Sequence, residues 1–205
     1  MHAPVVFVVD DDPGVRGYLE RLVRSVGLAC EAFGTADEFV AHVGDQHFGC
    51  AILDVRMPGT SGLDAQQVLV DRGVPLPVIF VTGYADVAVA VRAMKAGAVD
   101  VFVKPVNGQD LLDSVHRAIE LDRRRLEALQ ERRRLELLQE TLTPREREVM
   151  ALVVTGLANK HVATTLGTTL KTIKTHRARV MRKMQADSLA DLVRIADRLG
   201  RVVTH

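Results

Sequence analysis

The sequence has no tryptophan, two cysteines and only 4% aromatic residues, so any core it builds is aliphatic, made of Val, Leu, Ile and Ala. Cys30 and Cys50 have neither CxxC spacing nor the density of a disulfide framework, and read as free thiols in a reducing compartment. No stretch approaches the roughly 18–20 uninterrupted apolar residues that a membrane helix needs. An acidic cluster begins at position 10 where a leader would carry basic residues, so no secretory signal is expected and the cytoplasm is the expected location. Net charge is scarce as well, a formal +1 over 205 residues, but that figure hides a division. Residues 1–120 hold 9 Lys/Arg and 16 Asp/Glu, a net of −7, whereas residues 121–205 hold 18 and 10, a net of +8. An acidic half joined to a basic half fits a sensing unit joined to one that faces nucleic acid.

What is present begins with an alternation. Short apolar runs at Val5–Val9, Ala29–Phe33, 50–53, 78–81 and 101–103 each end in polar residues or glycine. Between them lie segments of helical spacing, such as Val15, Leu19, Leu22 and Val26, or Val87, Val91 and Met94. Five βα units in about 120 residues predict an α/β domain with a doubly wound, five-stranded parallel sheet. Such sheets bind ligands beyond the carboxyl ends of their strands. The last helix of this half opens near Asn107 and meets no stop signal before position 140. Its stretch 121–140 holds 6 Arg and 5 acids, with Asp122 and Arg133 interrupting the apolar spacing of Leu112, Val115, Ile119, Leu126 and Leu129. It reads as a charged helical linker, either a solvated spacer or a weak coiled-coil seam.

A second domain is expected over 141–205. Thr143-Pro144-Arg145-Glu146 has the cap, first-turn proline and third-position glutamate of a capping box, and Gly156 closes that helix. Residues 159–166 give a second helix, Thr169 caps a third reaching about Met184, and Ser188 with Asp191 opens a fourth. Four short helices, the middle two joined by a glycine-containing turn, predict an all-α unit with helix-turn-helix spacing.

Chemistry is expected at the sheet's carboxyl edge. Asp10 and Asp11 follow the first strand, Asp54 the third, Thr82 the fourth and Lys104-Pro105 the fifth. Carboxylates brought together raise one another's pKa unless a cation neutralises them, and a hard divalent ion such as Mg²⁺ suits oxygen ligands. A cation, a lysine and a hydroxyl around one aspartate favour phosphoryl transfer onto that aspartate.

On Val8-Val9-Asp10-Asp11-Asp12, Leu53-Asp54-Val55-Arg56-Met57-Pro58-Gly59, Val81-Thr82-Gly83 and Val103-Lys104-Pro105, the chain resembles the flavodoxin-like receiver domains of bacterial response regulators over about residues 4–120. The resemblance implies Asp54 as phosphoacceptor and a Mg²⁺ site of Asp10, Asp11, Asp54 and the Arg56 backbone carbonyl. It implies Thr82 as switch hydroxyl and Lys104 as the cation on the phosphoryl group. Asp12 is explained by helix capping, and Gly59 and Gly62 by the tight loop after the acceptor. Receivers often carry an aromatic three residues before the lysine and another after Lys-Pro. Here those positions are Val101 and Val106, with Phe102 on the opposite strand face, so the usual aromatic relay is missing. How the signal leaves the site is thereby left open, with Tyr84, or repacking of Val87 and Val91, as two candidate routes.

In the basic half, Ile173, His176, Arg177, Val180 and Met184 share one helical face, and Lys171, Lys174, Thr175, Ala178, Arg179 and Arg182 the other. The second face suits a major groove, with Lys and Thr reaching base edges, Ala allowing close approach and the outer cations on phosphate. Thr172 and Lys160 join it as candidate contacts. Residues 142–200 resemble the LuxR/NarL-type DNA-binding domain, on Leu142-Thr143, Arg145-Glu146, Gly156-Leu157-Ala158-Asn159-Lys160 and Lys171-Thr172-Ile173-Lys174-Thr175-His176. In that family the fourth helix dimerises, which would make Leu189, Leu192, Val193 and Ala196 an interface. The segments 93–100 and 184–189 resemble the FixJ subgroup of two-component response regulators. The resemblance implies a phosphorylation-dependent transcription regulator rather than an enzyme, with a sensor histidine kinase and double-stranded DNA as partners. It also implies a homodimer when phosphorylated, formed through the receiver's fourth helix and fifth strand. An aspartyl-phosphate phosphatase would carry its acceptor aspartate after the first strand, whereas the acceptor implied here, Asp54, follows the third. A DNA-binding protein indifferent to phosphorylation stays open as the rival reading.

Overall fold

The computed structural model describes residues 3–44, 46–83 and 87–200. The chain forms two compact units, Met1–Leu126 and Glu127–His205. The first holds a five-stranded parallel sheet ordered β2-β1-β3-β4-β5, from β1 (Val5–Val9), β2 (Ala29–Phe33), β3 (Gly49–Asp54), β4 (Val78–Thr82) and β5 (Asp100–Val103). Helices α1 (Pro13–Ser25), α2 (Ala36–His42), α3 (Gly62–Asp71), α4 (Val87–Lys95) and α5 (Gly108–Glu140) alternate with the strands. Every residue of β3 and β4 is buried. Strands covered on both faces have no use for polar alternation, so these two are near-continuous apolar runs, whereas edge strand β2 buries only Cys30.

Two apolar layers flank the sheet. Phe7, Leu53 and Phe80 pack on one side with Phe39 and Leu69, while Val6, Ile52 and Ile79 pack on the other with Leu19, Leu111 and Val115. Strand alternation splits Val101 and Phe102 between these layers, as the sequence requires. Gly49 must be glycine: its φ is +146° and a Cβ there would meet the Val5 carbonyl oxygen at 1.9 Å.

The segment 121–140 contributes to both units. Asp122, which interrupts the apolar pattern, is fully buried, and its Oδ2 accepts the backbone N–H of Gly49 at 2.9 Å. Arg125 Nε donates to its other oxygen at 2.7 Å. The interruption is therefore a polar tie on the inward face of α5, which charge patterning alone reads as solvated. Leu126 packs on the first unit and Leu135 is buried in the second. Along the helix surface, Arg124 pairs with Glu120, Arg132 with Glu136 and Arg134 with Glu131.

The second unit stacks α6 (Pro144–Val153), α7 (Asn159–Thr165), α8 (Leu170–Lys183) and α9 (Leu189–Arg198) around Val149, Val162, Ile173, Val180, Met184 and Leu192. Leu192 and Ala196 belong to this core, so they are not available as the interface that resemblance suggested; Leu189, Val193 and Leu199 are partly exposed. The Ser188 hydroxyl accepts from Asp191 N, but Asp191 Oδ2 returns to the N–H of Asp187 instead of closing a box on Ser188.

The box at Thr143 does close, with Glu146 N to Thr143 Oγ1 at 3.3 Å and Thr143 N to Glu146 Oε2 at 2.9 Å. Lys183, at the end of α8, donates to the same Oε2 at 2.7 Å and to the Thr141 carbonyl at 2.8 Å. Hydrogen bonds from Lys183 and the Thr143 N–H hold the Glu146 carboxyl down to about 2, from an ordinary 4.5. A depressed carboxyl stabilises the fold above its unfolded value and loses that contribution as pH falls through its folded value. Glu146→Gln is expected to destabilise the second unit by about 2 kcal/mol at neutral pH. In urea unfolding at a series of pH values, the gap to wild type should narrow from about pH 4.5 towards 2.

Candidate functional site

Strand register assembles the acidic edge. Val9 lies opposite Leu53, Asp54 opposite Val81 and Thr82 opposite Val103, so residues at or just past these ends share one rim. Asp10 is fully buried, Asp54 and Thr82 nearly so, and Asp11 is exposed. Carboxylate oxygens of Asp10, Asp11 and Asp54 all lie within 4.8 Å of one another. Lys104 Nζ sits between two of them, 2.7 Å from Asp10 Oδ2 and 2.7 Å from Asp54 Oδ2. Its backbone N–H donates to the Thr82 carbonyl at 2.8 Å, which ties the lysine to the end of β4, and its bond to Pro105 is cis.

Electrostatics follow from that geometry. Burial pushes the Asp10 carboxyl above its usual range, against the hydrogen bond from Lys104. Burial pulls the Lys104 ammonium down, but the hydrogen bonds to Asp10 and Asp54 outweigh it and hold it above its ordinary value. The lysine is thus firmly charged, and it neutralises only part of a three-carboxylate cluster. All the donors are hard oxygens, which fits a divalent ion such as Mg²⁺ and not a thiophilic metal.

The loop after Asp54 is held by several bonds. Asp54 Oδ1 accepts the Arg56 N–H at 3.0 Å, and the Gly62 N–H donates to the Val55 carbonyl at 3.2 Å. A Cβ on Gly62 would lie 2.1 Å from the Asp54 carbonyl oxygen, so close packing of α3 beneath Asp54 demands glycine there. Thr60 Oγ1 donates to Asp37 Oδ1 at 2.6 Å, anchoring the loop to α2. Asp12 caps α1 through the N–H groups of Gly14 and Val15, and those bonds lower its pKa. Sequence reasoning missed Arg16: its Nη1 donates to the carbonyl of Asp10 at 2.6 Å and of Asp11 at 3.4 Å, pinning the acidic pair from below. Its signal was a basic residue one turn past the Asp12 cap. Tyr84, one candidate route for the relay, lies outside the described residues.

The second candidate surface is on α8. Lys171, Lys174, Thr175, Ala178, Arg179 and Arg182 are all exposed and line one open surface, while Ile173 and Val180 face inward. Thr172 does not join them; it is part-buried, its N–H bonds the Thr169 cap at 3.2 Å and its hydroxyl lies 2.9 Å from that of Thr169. Lys160 is exposed on α7.

A family model of the response regulator receiver domain matches residues 6–116, and one of bacterial regulatory proteins of the luxR family matches residues 140–196. This chain belongs to the two-component response regulators. The regulator is 49% identical to nodulation protein W of Bradyrhizobium diazoefficiens, over 98% of this chain and 88% of that one. It is 37% identical to the transcriptional regulatory protein FixJ of the same organism, over 95% of each. A solved structure of the response regulator StyR superposes with a TM-score of 0.84 at 41% identity, covering 96% of this chain and all of that one. The regulator is of the FixJ/NarL type, and its function is phosphorylation-dependent regulation of transcription.

Proposed function

We propose that Asp54 takes the phosphoryl group from a sensor histidine kinase, and that the resulting change lets α8 occupy a promoter major groove. The observation that carries the reading is the Lys104 ammonium, 2.7 Å from both Asp54 and Asp10 at the carboxyl edge. Asp54 presents Oδ2 to the lysine and Oδ1 to the Arg56 N–H, so its carboxylate is oriented before any donor arrives. An Asp54 oxygen attacks the phosphorus, the phosphorus–nitrogen bond of the kinase's phosphohistidine breaks, and an acyl phosphate remains. Lys104 then pairs with the phosphoryl oxygens, and the Thr82 hydroxyl hydrogen-bonds them from β4. Asp10, Asp11, Asp54 and the Arg56 carbonyl are the residues that would hold Mg²⁺. When bound, that ion offsets the negative charge of the transferring group. Transfer from small phosphodonors and later self-dephosphorylation use the same residues, in a protein acting in the cytoplasm.

Residues 1–120 act as the receiver, 121–140 connect, and 141–205 bind DNA. Phosphorylation shifts the equilibrium towards a homodimer, by no more than the phosphate's preference for that form. Val87, Val91 and Met94 of α4 and Val103 of β5 are exposed apolar side chains where such a dimer would close. Lys171, Lys174, Thr175, Ala178, Arg179 and Arg182 face DNA, with Lys160 on phosphate and Thr172 supporting the N-terminus of α8.

With acetyl phosphate and Mg²⁺, intact-mass measurement should show one phosphoryl group on the wild-type chain and none on Asp54→Asn. Equal labelling of the two would refute Asp54 as acceptor.

A further inference from the structure

The shortest helix of the DNA-binding unit is held at both ends by arginines from its neighbours. α7 has seven residues, and its N-cap, Ala158, supplies no side-chain hydrogen bond. Val162 and Ala163 bury one face, which fixes its depth but leaves its rotation and tilt weakly set. Across the turn, Arg177 Nη1 of α8 donates to Asn159 Oδ1, at the start of α7, at 2.9 Å. At the other end, Arg145 of α6 donates through Nη2 to the carbonyl of Leu166, the C-cap of α7.

Arg177 sits in a helix rich in cations, yet 3.6 residues per turn places it with Ile173, Val180 and Met184, roughly 120° from the centre of the exposed basic face. It is part-buried and makes no ion pair among the described residues. A guanidinium presents a planar fork with fixed donor directions, so its bond to Asn159 constrains angle as well as distance.

The geometry points to Arg177 and Asn159 as positioning residues for DNA recognition: their bond sets the angle between α7 and α8, and hence the depth at which α8 enters the groove. The inference rests on α8 being the groove helix. It makes Arg177 a determinant of specificity that touches no DNA. A phosphate-contacting arginine contributes equally to all sequences and adds about 0.9 to the salt slope, whereas a positioning arginine contributes only where base edges are read.

The test uses the full chain treated with acetyl phosphate and Mg²⁺. The probes are a duplex enriched from a randomised pool by the wild-type chain and a duplex of unrelated sequence. Arg177→Met and Asn159→Ala should each lower affinity for the enriched duplex about tenfold, leaving affinity for the unrelated duplex and both salt slopes unchanged. The double variant should lose no more than either single one. Equal losses on both duplexes with a flattened slope would make Arg177 a phosphate contact, and additive losses would uncouple it from Asn159; either overturns the proposal. Native-state hydrogen exchange without DNA judges the brace separately. The α7 amides should exchange faster in both variants and those of α6 should not, and wild-type exchange in α7 would refute the brace. Lys174→Ala judges the premise: no loss on the enriched duplex would show that α8 does not read bases, whatever the exchange data say of the brace.

Discussion

Lys104→Ala is expected to cut phosphoryl incorporation from acetyl phosphate on the order of 100-fold, the typical cost of removing one preorganised cationic donor from developing charge. The same substitution changes stability in a way that Mg²⁺ should reverse. In the wild-type chain the ammonium bridges Asp10 and Asp54 at 2.7 Å each. Without it, buried Asp10, whose carboxyl is already pushed up, faces Asp54 and Asp11 without the ammonium that bridged Asp10 and Asp54. Breaking a buried pair by removing one partner costs about 3–5 kcal/mol; with the lysine about one-fifth exposed, we expect about 2 kcal/mol at neutral pH. A carboxyl whose folded pKa is raised penalises the folded state above that pKa, and the penalty fades as pH falls through it. The gap to wild type should therefore be widest at pH 7 and close on acidification, opposite in cause to an acid-sensitive salt bridge but similar in direction. Millimolar Mg²⁺ should restabilise Lys104→Ala more than wild type, because the ion then replaces the lost ammonium charge and stabilises by preferential binding to the folded state. Urea midpoints at pH 5 and 7, with and without Mg²⁺, would check this. A pH-independent loss that Mg²⁺ does not touch would mean that the lysine is only a packing element.

How far the sequence carried depends on the range of the interactions involved. β1 and β2 match the expected runs residue for residue, and the other three differ by one or two residues, because short apolar runs between turn residues report burial on both faces. The caps at Asp12, Thr143, Thr169 and Ser188 were equally legible, since a cap and its partner lie within three residues. The acidic rim was legible at one remove: strand ends in a parallel sheet meet at one edge, so placing Asp10, Asp54 and Lys104 there required only the topology. What escaped were bonds joining distant positions to backbone atoms. Asp122 reads as an interruption because periodicity scores side-chain polarity and takes no account of the N–H of Gly49, which needs an acceptor inside the protein. Arg16 escaped likewise, since its partners are carbonyls common to every residue type. Helix α9 shows the converse limit. Its apolar stripe is plain, but whether a stripe faces its own core or a partner is decided by what else the chain folds against it, and Leu192 and Ala196 meet their own core.

Lys174→Ala and Arg182→Ala should separate the two jobs of the exposed face of α8. Lys174 is in the N-terminal half of α8, with Lys171 and Ala178 one turn to either side, where a recognition helix reaches base edges. Its loss is expected to weaken binding to a selected site by about 1–3 kcal/mol and relax the preference at one base pair, with little change on unrelated DNA. Arg182 lies two turns further along, towards the end of the helix, where the groove wall is phosphate. Its loss should weaken every sequence about equally and reduce the salt slope by about 0.9 per protomer, or roughly twice that for a dimer on two half-sites. The candidate cations also bound the whole. With Lys160 of α7, Lys171, Lys174, Arg179 and Arg182 give five cations per protomer. If all five met phosphate in a dimer, the slope would be near −9, and each lysine engaged with a base edge reduces it. A measured slope for the phosphorylated chain therefore counts the phosphate contacts, and the two variants say which side chains make them. Were Arg182→Ala sequence-selective and Lys174→Ala uniform, the face would sit in the groove the other way round, with the C-terminal end of α8 reading bases.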